Sequence, residues 1–190
     1  MSKIKYILHG GKASRDTENN TKFVTEITKD LPKDSSILIV LFAKPKETWN
    51  EKFEAIKNTF SKIVPQKNIN LEIAHENSEK FIEQIKKADA LYLIGGDSHI
   101  LKEYLLKIPN LVDLWQDKII AGSSAGAVVL GKYFYENDDD TYNKGLNILP
   151  FKIITHYSKD NDDKLRKLKS FGEDIQTLAI PEEQFIIINN

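Results

Sequence analysis

A short run of small residues constrains this chain more than any other part of its sequence. Residues 122–126 read Gly-Ser-Ser-Ala-Gly, between the apolar residues 119–121 and 127–130. This order fits the G-x-S-x-G pattern, in which the central serine sits on a sharp turn from a strand to a helix. Both flanking positions need glycine, because side chains there would collide with the backbone. The pattern predicts that Ser124 is a nucleophile at a strand end; the alternative is a tight turn whose small residues serve packing alone.

The order of apolar runs predicts an α/β fold. Residues 36–42 and 90–94 are continuous apolar runs, which are typical of strands covered on both faces. Segments with helical spacing lie between these runs, and strands that alternate with helices of about 10 to 15 residues indicate a parallel sheet. Residues 178–180 and 184–188 have the pattern of two edge strands joined by a turn. The simplest account is one domain over residues 1–190.

Composition excludes several classes of function. Hydrophobic residues make up 41% and charged residues 29% of the chain, as in soluble globular proteins, and the net charge of −1 favours neither nucleic acid nor an anionic membrane as a partner. The absence of cysteine excludes disulfides, a thiol nucleophile and a thiolate metal site. The N-terminus enters a strand at once, and no apolar run approaches the length of a membrane span, so we expect a cytoplasmic location.

A nucleophilic serine needs a general base, and histidine is the usual one. The carboxyl ends of parallel strands gather at one edge of a sheet, and this edge or its turns would hold all four histidines: His9, His75, His99 and His156. We rank His156 first, because an acidic stretch and then this histidine follow Ser124, in the order Ser…Asp…His. His99 is the second candidate.

The sequence leaves the remaining parts of such a site open. The acid that would orient the histidine could be any of four residues between Ser124 and His156, namely Glu136, Asp138, Asp139 and Asp140. For the oxyanion, the backbone N–H of Ala125 is the natural donor, because it follows the nucleophile. The Gly95–Gly96 pair gives a second loop where backbone could approach a substrate closely, or else a simple turn at a strand end.

Three stretches together resemble the dipeptidase E and cyanophycinase family of serine peptidases. They are Leu-Ile-Gly-Gly-Asp at 93–97, Gly-Ser-Ser-Ala-Gly-Ala at 122–127, and residues 145–157, which run from Gly-Leu to His-Tyr. The resemblance covers residues 4–188. It implies a three-layer α/β/α sandwich with a mostly parallel central sheet, flavodoxin-like and related to the class I glutamine amidotransferases. Ser124 would take the place of the cysteine that those enzymes carry.

The resemblance also implies an activity and a set of site residues. The family hydrolyses peptide bonds that follow an aspartyl residue, as in Asp-Xaa dipeptides, with no metal and no cofactor. Carried onto this sequence, the nucleophile is Ser124, the base His156, the acid Asp139 by its distance from the serine, and the oxyanion donors the backbone of Gly96 and Ala125. Arg166 would hold the substrate carboxylate, since the planar guanidinium can bind it with two hydrogen bonds. The expected partner is a small peptide, and a homodimer is left open.

Two other functions compete with this one. The first is a non-catalytic module that binds a small molecule or peptide on the same fold, and it is motivated by the unassigned acid and by Asp97, where the family often has asparagine. The second is an esterase of the standard α/β-hydrolase type. It is the weaker of the two, because the chain after Ser124 is short for the sheet that such a fold needs.

Overall fold

Strands and helices alternate along the chain as far as residue 128 in the computed structural model, which describes residues 3–189, and strands predominate after it. The strands are β1 (Lys5–His9), β2 (Asp34–Val40), β3 (Asn68–Ile73), β4 (Ala90–Leu93), β5 (Ile119–Ser123), β6 (Gly131–Glu136), β7 (Thr141–Lys144), β8 (Leu149–Thr155), β9 (Thr177–Ile180) and β10 (Phe185–Asn189). The helices are α1 (Glu18–Thr28), α2 (Trp49–Ile63), α3 (Ser78–Lys87), α4 (Ser98–Leu106), α5 (Leu111–Leu114), α6 (Ala125–Val128) and α7 (Asp162–Ser170). Short 3-10 turns precede α2 and α7.

The larger sheet has six strands in the order β10-β1-β5-β4-β2-β3. Five of them run parallel, and β10 pairs antiparallel with β1 at one edge. The two central strands β5 and β4 are buried along their whole length, which is why their sequences are continuously apolar or small. The mostly parallel sheet that the sequence predicts is confirmed.

Helices cover both faces of this sheet. Right-handed crossovers place α1 and α2 on one face and α3, α4 and α5 on the other, because the chain first moves from β1 towards β3 and then returns towards β5. The contacts agree, since α1 packs on α2 and α3 packs on α5. The predicted three-layer α/β/α sandwich is confirmed. Between residues 3 and 189, none of the helices combines the length and the apolar character that crossing a bilayer requires.

The strand order reverses between β1 and β5. In open α/β sheets, the crevice at such a switch point, beyond the carboxyl ends of the strands, is where ligands bind. His9 and Ser123 are register partners at the ends of β1 and β5. The residues that follow them, Gly10 and Ser124, therefore lie side by side at this crevice.

A second sheet of four strands, in the order β7-β6-β8-β9, follows α6. The sequence pattern does not predict β6 and β7, which form an antiparallel hairpin of aromatic and acidic residues. Helix α7 packs against this sheet, and Tyr133, Tyr135, Ile154 and Leu168 form the core between them. Strands β9 and β10 are edge strands as expected, but they belong to different sheets. The turn at residues 181–183 therefore crosses from one sheet to the other.

Candidate active site

Ser124 lies on a strained turn between β5 and α6. Its φ is +52° and its ψ −116°, a region that costs a residue with a side chain about 1–3 kcal/mol. The two flanking glycines are required sterically. A Cβ on Gly122 would lie 2.3 Å from the carbonyl oxygen of Gly126, and a Cβ on Gly126 would lie 2.1 Å from that of Leu93. The turn holds the Ser124 side chain partly exposed at the sheet edge.

His156 is the histidine that the structure brings to this serine. The Oγ of Ser124 lies 2.8 Å from Nε2 of His156. His156 follows β8 with a left-handed φ of +53°, and its backbone N–H donates to the carbonyl oxygen of Gly10 at 2.8 Å. The smaller sheet therefore supplies the imidazole and the larger sheet supplies the hydroxyl. The other three histidines make no hydrogen bond to Ser124 through their side chains within residues 3–189.

The other ring nitrogen of His156 contacts Glu182. Nδ1 lies 3.0 Å from Oε1 of this carboxylate, which sits in the turn between β9 and β10. A carboxylate only accepts hydrogen bonds, so the proton of the neutral imidazole belongs on Nδ1. Nε2 then carries a lone pair towards the Ser124 hydroxyl. This is the tautomer that a general base needs.

The second oxygen of Glu182 is held by a cation. Lys12 Nζ lies 2.9 Å from Oε2, and Arg15 Nη1 lies 3.7 Å from the same oxygen. Burial raises the pKa of Glu182, but the hydrogen bonds from His156 and Lys12 outweigh burial, and the pKa lies below its ordinary value. Glu182 is therefore an ionised acceptor for the imidazole N–H.

The carboxylate that contacts His156 in the structure is Glu182, whereas the sequence predicts Asp139 for this place. The Asp139 carboxylate lies 3.6 Å from Nε2 of His99 and accepts from the Thr141 hydroxyl at 2.5 Å, so it is committed to the β6–β7 hairpin. Two neighbouring acids also have other partners: Glu136 accepts from Ser98 of α4, and Asp140 accepts from Tyr135 of β6. The expected order Ser…Asp…His points only to residues between Ser124 and His156, whereas Glu182 follows the histidine. The available signal was the acidic turn at 181–183, next to an edge strand.

The Gly95–Gly96 turn lies directly against the serine. A Cβ on Gly95 would lie 2.9 Å from Cβ of Ser124, and a Cβ on Gly96, where φ is +152°, would lie 2.1 Å from the carbonyl oxygen of Ala43. The N–H of Gly96 donates to no acceptor in the described part of the chain. Ala125 is the first residue of α6, so its N–H has no partner within the helix. Two backbone donors beside Ser124 thus remain open to a ligand.

Arg166 lies elsewhere. It is an exposed residue of α7, and its side chain forms no ion pair with any of residues 3–189. The cations beside Ser124 and His156 come instead from the loop after β1, where Lys12 pairs with Glu182 and Arg15 Nη1 lies 2.8 Å from Glu183. The structure does not bring Arg166 together with the other predicted site residues.

A serine on a strained elbow, bonded to an imidazole that is itself bonded to a carboxylate, is the arrangement found in serine hydrolases. A comparison with protein-family models narrows this class. The model of Peptidase family S51 matches residues 6–190. The chain belongs to peptidase family S51, and the protein is a serine peptidase.

Solved structures share the fold. A crystal structure of a peptidase from an acI-B1 Actinobacterium matches with a TM-score of 0.70 and 21% identity, over 97% of this chain and 82% of that chain. A structure described as a peptidase E protein of Listeria monocytogenes EGD-e matches with a TM-score of 0.70 and 18% identity, over 99% of this chain and 95% of that chain. No curated protein sequence matches the chain.

Proposed function

We propose that the protein hydrolyses short peptides, Asp-Xaa dipeptides among them, with Ser124 as nucleophile, His156 as general base and Glu182 as the orienting carboxylate. One observation carries this proposal. The 2.8 Å contact from Ser124 Oγ to His156 Nε2 continues through the imidazole to Glu182 at 3.0 Å. With its proton on Nδ1, the imidazole presents a lone pair to the Ser124 hydroxyl, which is what proton transfer from a serine requires.

The first half of the reaction forms an acyl-enzyme. Ser124 Oγ attacks the carbonyl carbon of the scissile peptide bond, and its proton passes to His156 Nε2. The carbonyl π electrons move to oxygen, and this oxyanion accepts hydrogen bonds from the N–H groups of Gly96 and Ala125. Glu182 stabilises the imidazolium. When the C–N bond breaks, the leaving amine takes the proton from His156.

The second half releases the acid. A water molecule gives a proton to His156 Nε2 while its oxygen attacks the ester carbonyl, and a second oxyanion forms at the same two N–H groups. Breakage of the ester C–O bond returns the proton to Ser124 Oγ. The enzyme regains its starting state, and the net change is one peptide bond and one water converted to an acid and an amine.

A preference for aspartate requires a cation near the scissile bond. Arg166, which the family resemblance implies for this role, is exposed and free of ion pairs among the described residues. Arg15 is half exposed and lies at the rim next to Glu182 and Glu183. Either guanidinium can bind a carboxylate with two hydrogen bonds. As the cation for the substrate carboxylate, Arg15 is favoured by its position beside Glu182, and Arg166 is favoured by the family resemblance.

The test compares Ser124→Ala with Ser123→Ala on a panel of dipeptides that includes matched Asp-Leu and Asn-Leu. We expect the unmodified enzyme to cleave Asp-Leu faster than Asn-Leu, and Ser124→Ala to lose about 10⁶-fold in kcat, as when a serine nucleophile is removed. Ser123 is a matched control, because this neighbouring serine is buried at the end of β5, and it is Ser124 whose hydroxyl contacts His156. Its alanine variant should keep its activity.

Two results would contradict the proposal in different ways. A Ser124→Ala variant that cleaves at the unmodified rate would remove Ser124 from the mechanism. An enzyme that cleaves no dipeptide, while a fluorophosphonate labels Ser124, would retain the nucleophile but overturn the assignment to short peptides.

A further inference from the structure

We infer that His9 is a positioning residue, whose buried imidazole fixes the Gly10–Gly11 turn and thereby aligns Ser124, His156 and Glu182. This inference rests on the proposed function, because it assigns His9 a role in aligning that set of residues. His9 lies at the end of β1 with no exposed surface and does not touch the substrate crevice through its side chain. Its effect would pass through the backbone of the turn that follows it.

The contacts of His9 define one tautomer. The backbone N–H of Gly11 donates to Nδ1 at 3.1 Å, so the ring proton lies on Nε2, which donates to Oδ1 of Asn20 at 2.9 Å. Asn20 is itself buried, and its Nδ2 donates to the carbonyl oxygens of Lys12 and Arg15 at 2.9 and 2.8 Å. Both ends of the imidazole are therefore tied to the loop that follows β1.

The turn that His9 holds is in contact with the base. The carbonyl oxygen of Gly10 accepts the backbone N–H of His156 at 2.8 Å. A Cβ on Gly11 would lie 2.1 Å from Cε1 and 2.4 Å from Nε2 of the His156 ring. The backbone of Gly11 therefore packs directly on the imidazole of His156. A shift of this turn by a few tenths of an ångström would move the ring away from Ser124.

The same turn reaches the acid and the nucleophile. Gly11 accepts the N–H of Glu183 at 3.0 Å and Gly10 donates to Gln184 at 2.9 Å, so the residues that follow Glu182 are bonded to it. The carbonyl oxygen of His9 accepts the N–H of Ser124 at 3.0 Å. One buried imidazole thus supports a backbone segment that contacts all three elements of the site.

The neutral state of His9 is required for this role. Burial lowers the pKa of His9 below its ordinary value, and nearby His156 lowers it further, against the raising effects of the Asn20 hydrogen bond and the Glu183 charge. A protonated His9 would direct an N–H from Nδ1 at the N–H of Gly11, where two donors would meet. A neutral ring accepts there instead.

Two conservative variants separate positioning from simple packing. His9→Asn places an amide oxygen near the site of Nδ1, where it can still accept from Gly11. His9→Gln reaches the site of Nε2 and keeps the Asn20 contact and more of the volume, but it offers Gly11 no acceptor. If His9 acts through Gly11, the asparagine variant is the better enzyme. If His9 only fills space and anchors Asn20, the glutamine variant is better.

The probe is a fluorophosphonate, which reports the reactivity of Ser124 and requires no knowledge of the natural substrate. We expect His9→Gln to be labelled at least about tenfold more slowly than His9→Asn, equivalent to about 1.4 kcal/mol in the barrier. The low-field proton resonance of His156 Nδ1–H, bonded to Glu182, should persist in His9→Asn and broaden in His9→Gln. A packing role would leave that resonance unchanged.

The outcomes distinguish this inference from the proposed function. If the unmodified protein is not labelled at Ser124, both are overturned. If it is labelled, and His9→Gln reacts as fast as His9→Asn, only the role of His9 is overturned. If His9→Gln does not fold, Asn20→Ala takes its place, because loss of the Nε2–H acceptor frees His9 to carry its proton on Nδ1. Labelling of Asn20→Ala at the unmodified rate would overturn the inference as well.

Discussion

Two Gly-Gly turns end parallel strands at the same edge of the larger sheet, and they use their backbone groups in opposite ways. In the Gly10–Gly11 turn after β1, both N–H groups and both carbonyl oxygens are bonded to other parts of the protein. In the Gly95–Gly96 turn after β4, neither N–H donates to any acceptor within residues 3–189. The first turn supports the His156 side of the site, and the second lies beside Ser124 with its donors unused.

The difference shows that a sequence motif does not fix the function of a turn. Both pairs need glycine for close approach, since a Cβ on Gly11 would meet the His156 ring and one on Gly96 would meet the carbonyl of Ala43. The turns differ in the hydrogen bonds of their backbone. The groups of Gly10–Gly11 bond to other parts of the protein, whereas the N–H groups of Gly95–Gly96 are open to the crevice. Unpaired N–H donors suit a substrate oxyanion, because they can form hydrogen bonds to it without first breaking bonds within the protein.

Apart from removal of the nucleophile itself, the largest effect is expected on the His156 side, from the carboxylate. Glu182→Gln should lower kcat by about 10⁴-fold, because an amide in place of the carboxylate favours the wrong tautomer of His156. The steady-state hydrolysis rate measures this loss. Asp139→Asn is the matched control and should leave the rate nearly unchanged, since Asp139 contacts His99 and Thr141. If Asp139→Asn lost more activity than Glu182→Gln, the carboxylate that orients His156 would be Asp139 rather than Glu182.

Alanine in each turn should give losses of about 10²–10³-fold, with different signatures. Gly11→Ala drives a methyl into the His156 ring, so the pH profile of Ser124 labelling should change with the rate. Gly96→Ala disturbs the proposed oxyanion donor and should leave the pH profile of labelling unchanged. Gly172→Ala controls for strain, because Gly172 also has positive φ and an aromatic ring, that of Tyr133, within 3 Å of the Cβ position. If Gly11→Ala and Gly96→Ala gave the same pH profile of Ser124 labelling, the two turns would not have different roles at the site.

The smallest effect is expected at Lys12, which acts on the pKa of Glu182. Loss of this cation in Lys12→Met should raise the pKa of Glu182, so the variant loses its ionised carboxylate at a higher pH than the unmodified enzyme. Because the pKa of Glu182 is lowered on folding, its ionised carboxylate stabilises the fold at pH values above 4.5, the ordinary pKa of a glutamate. This contribution disappears as the pH falls through the pKa of Glu182 in the folded protein. NMR titration of the carboxyl carbon measures the pKa of Glu182 in both proteins. An unchanged pKa of Glu182 in Lys12→Met would show that Lys12 does not influence this carboxylate. The control is Lys22→Met, which removes a lysine from an exposed ion pair with Glu18.

The sequence predicts the larger sheet well, because its signals are local. Strands such as β2 and β4 are continuous apolar runs, and helix α2 has a regular apolar face that ends before Pro65. The elbow at Ser124 is equally local, since two glycines and a strand-to-helix change define it within five residues. These features depend on steric rules that operate over a few neighbouring positions.

The β6–β7 hairpin of the smaller sheet and the acid that contacts His156 could not be predicted in this way. Only two residues separate strand β6 from a four-residue helix, and the hairpin β6–β7 carries the acidic residues that the order Ser…Asp…His favours. Glu182 approaches His156 only because β9 joins one sheet and β10 the other. That contact depends on how two sheets are arranged in space, and no spacing between residues 156 and 182 encodes it.

The pairing of β10 with β1 has a consequence for the assembly of the site. His9 faces Phe185 across this pair, so among the described strands the last closes on the first. In the mechanism proposed above, Glu182 acts on His156 only when the turn at residues 181–183 lies against Gly11. Damage to this pairing would therefore cost activity even where the rest of the larger sheet stays folded.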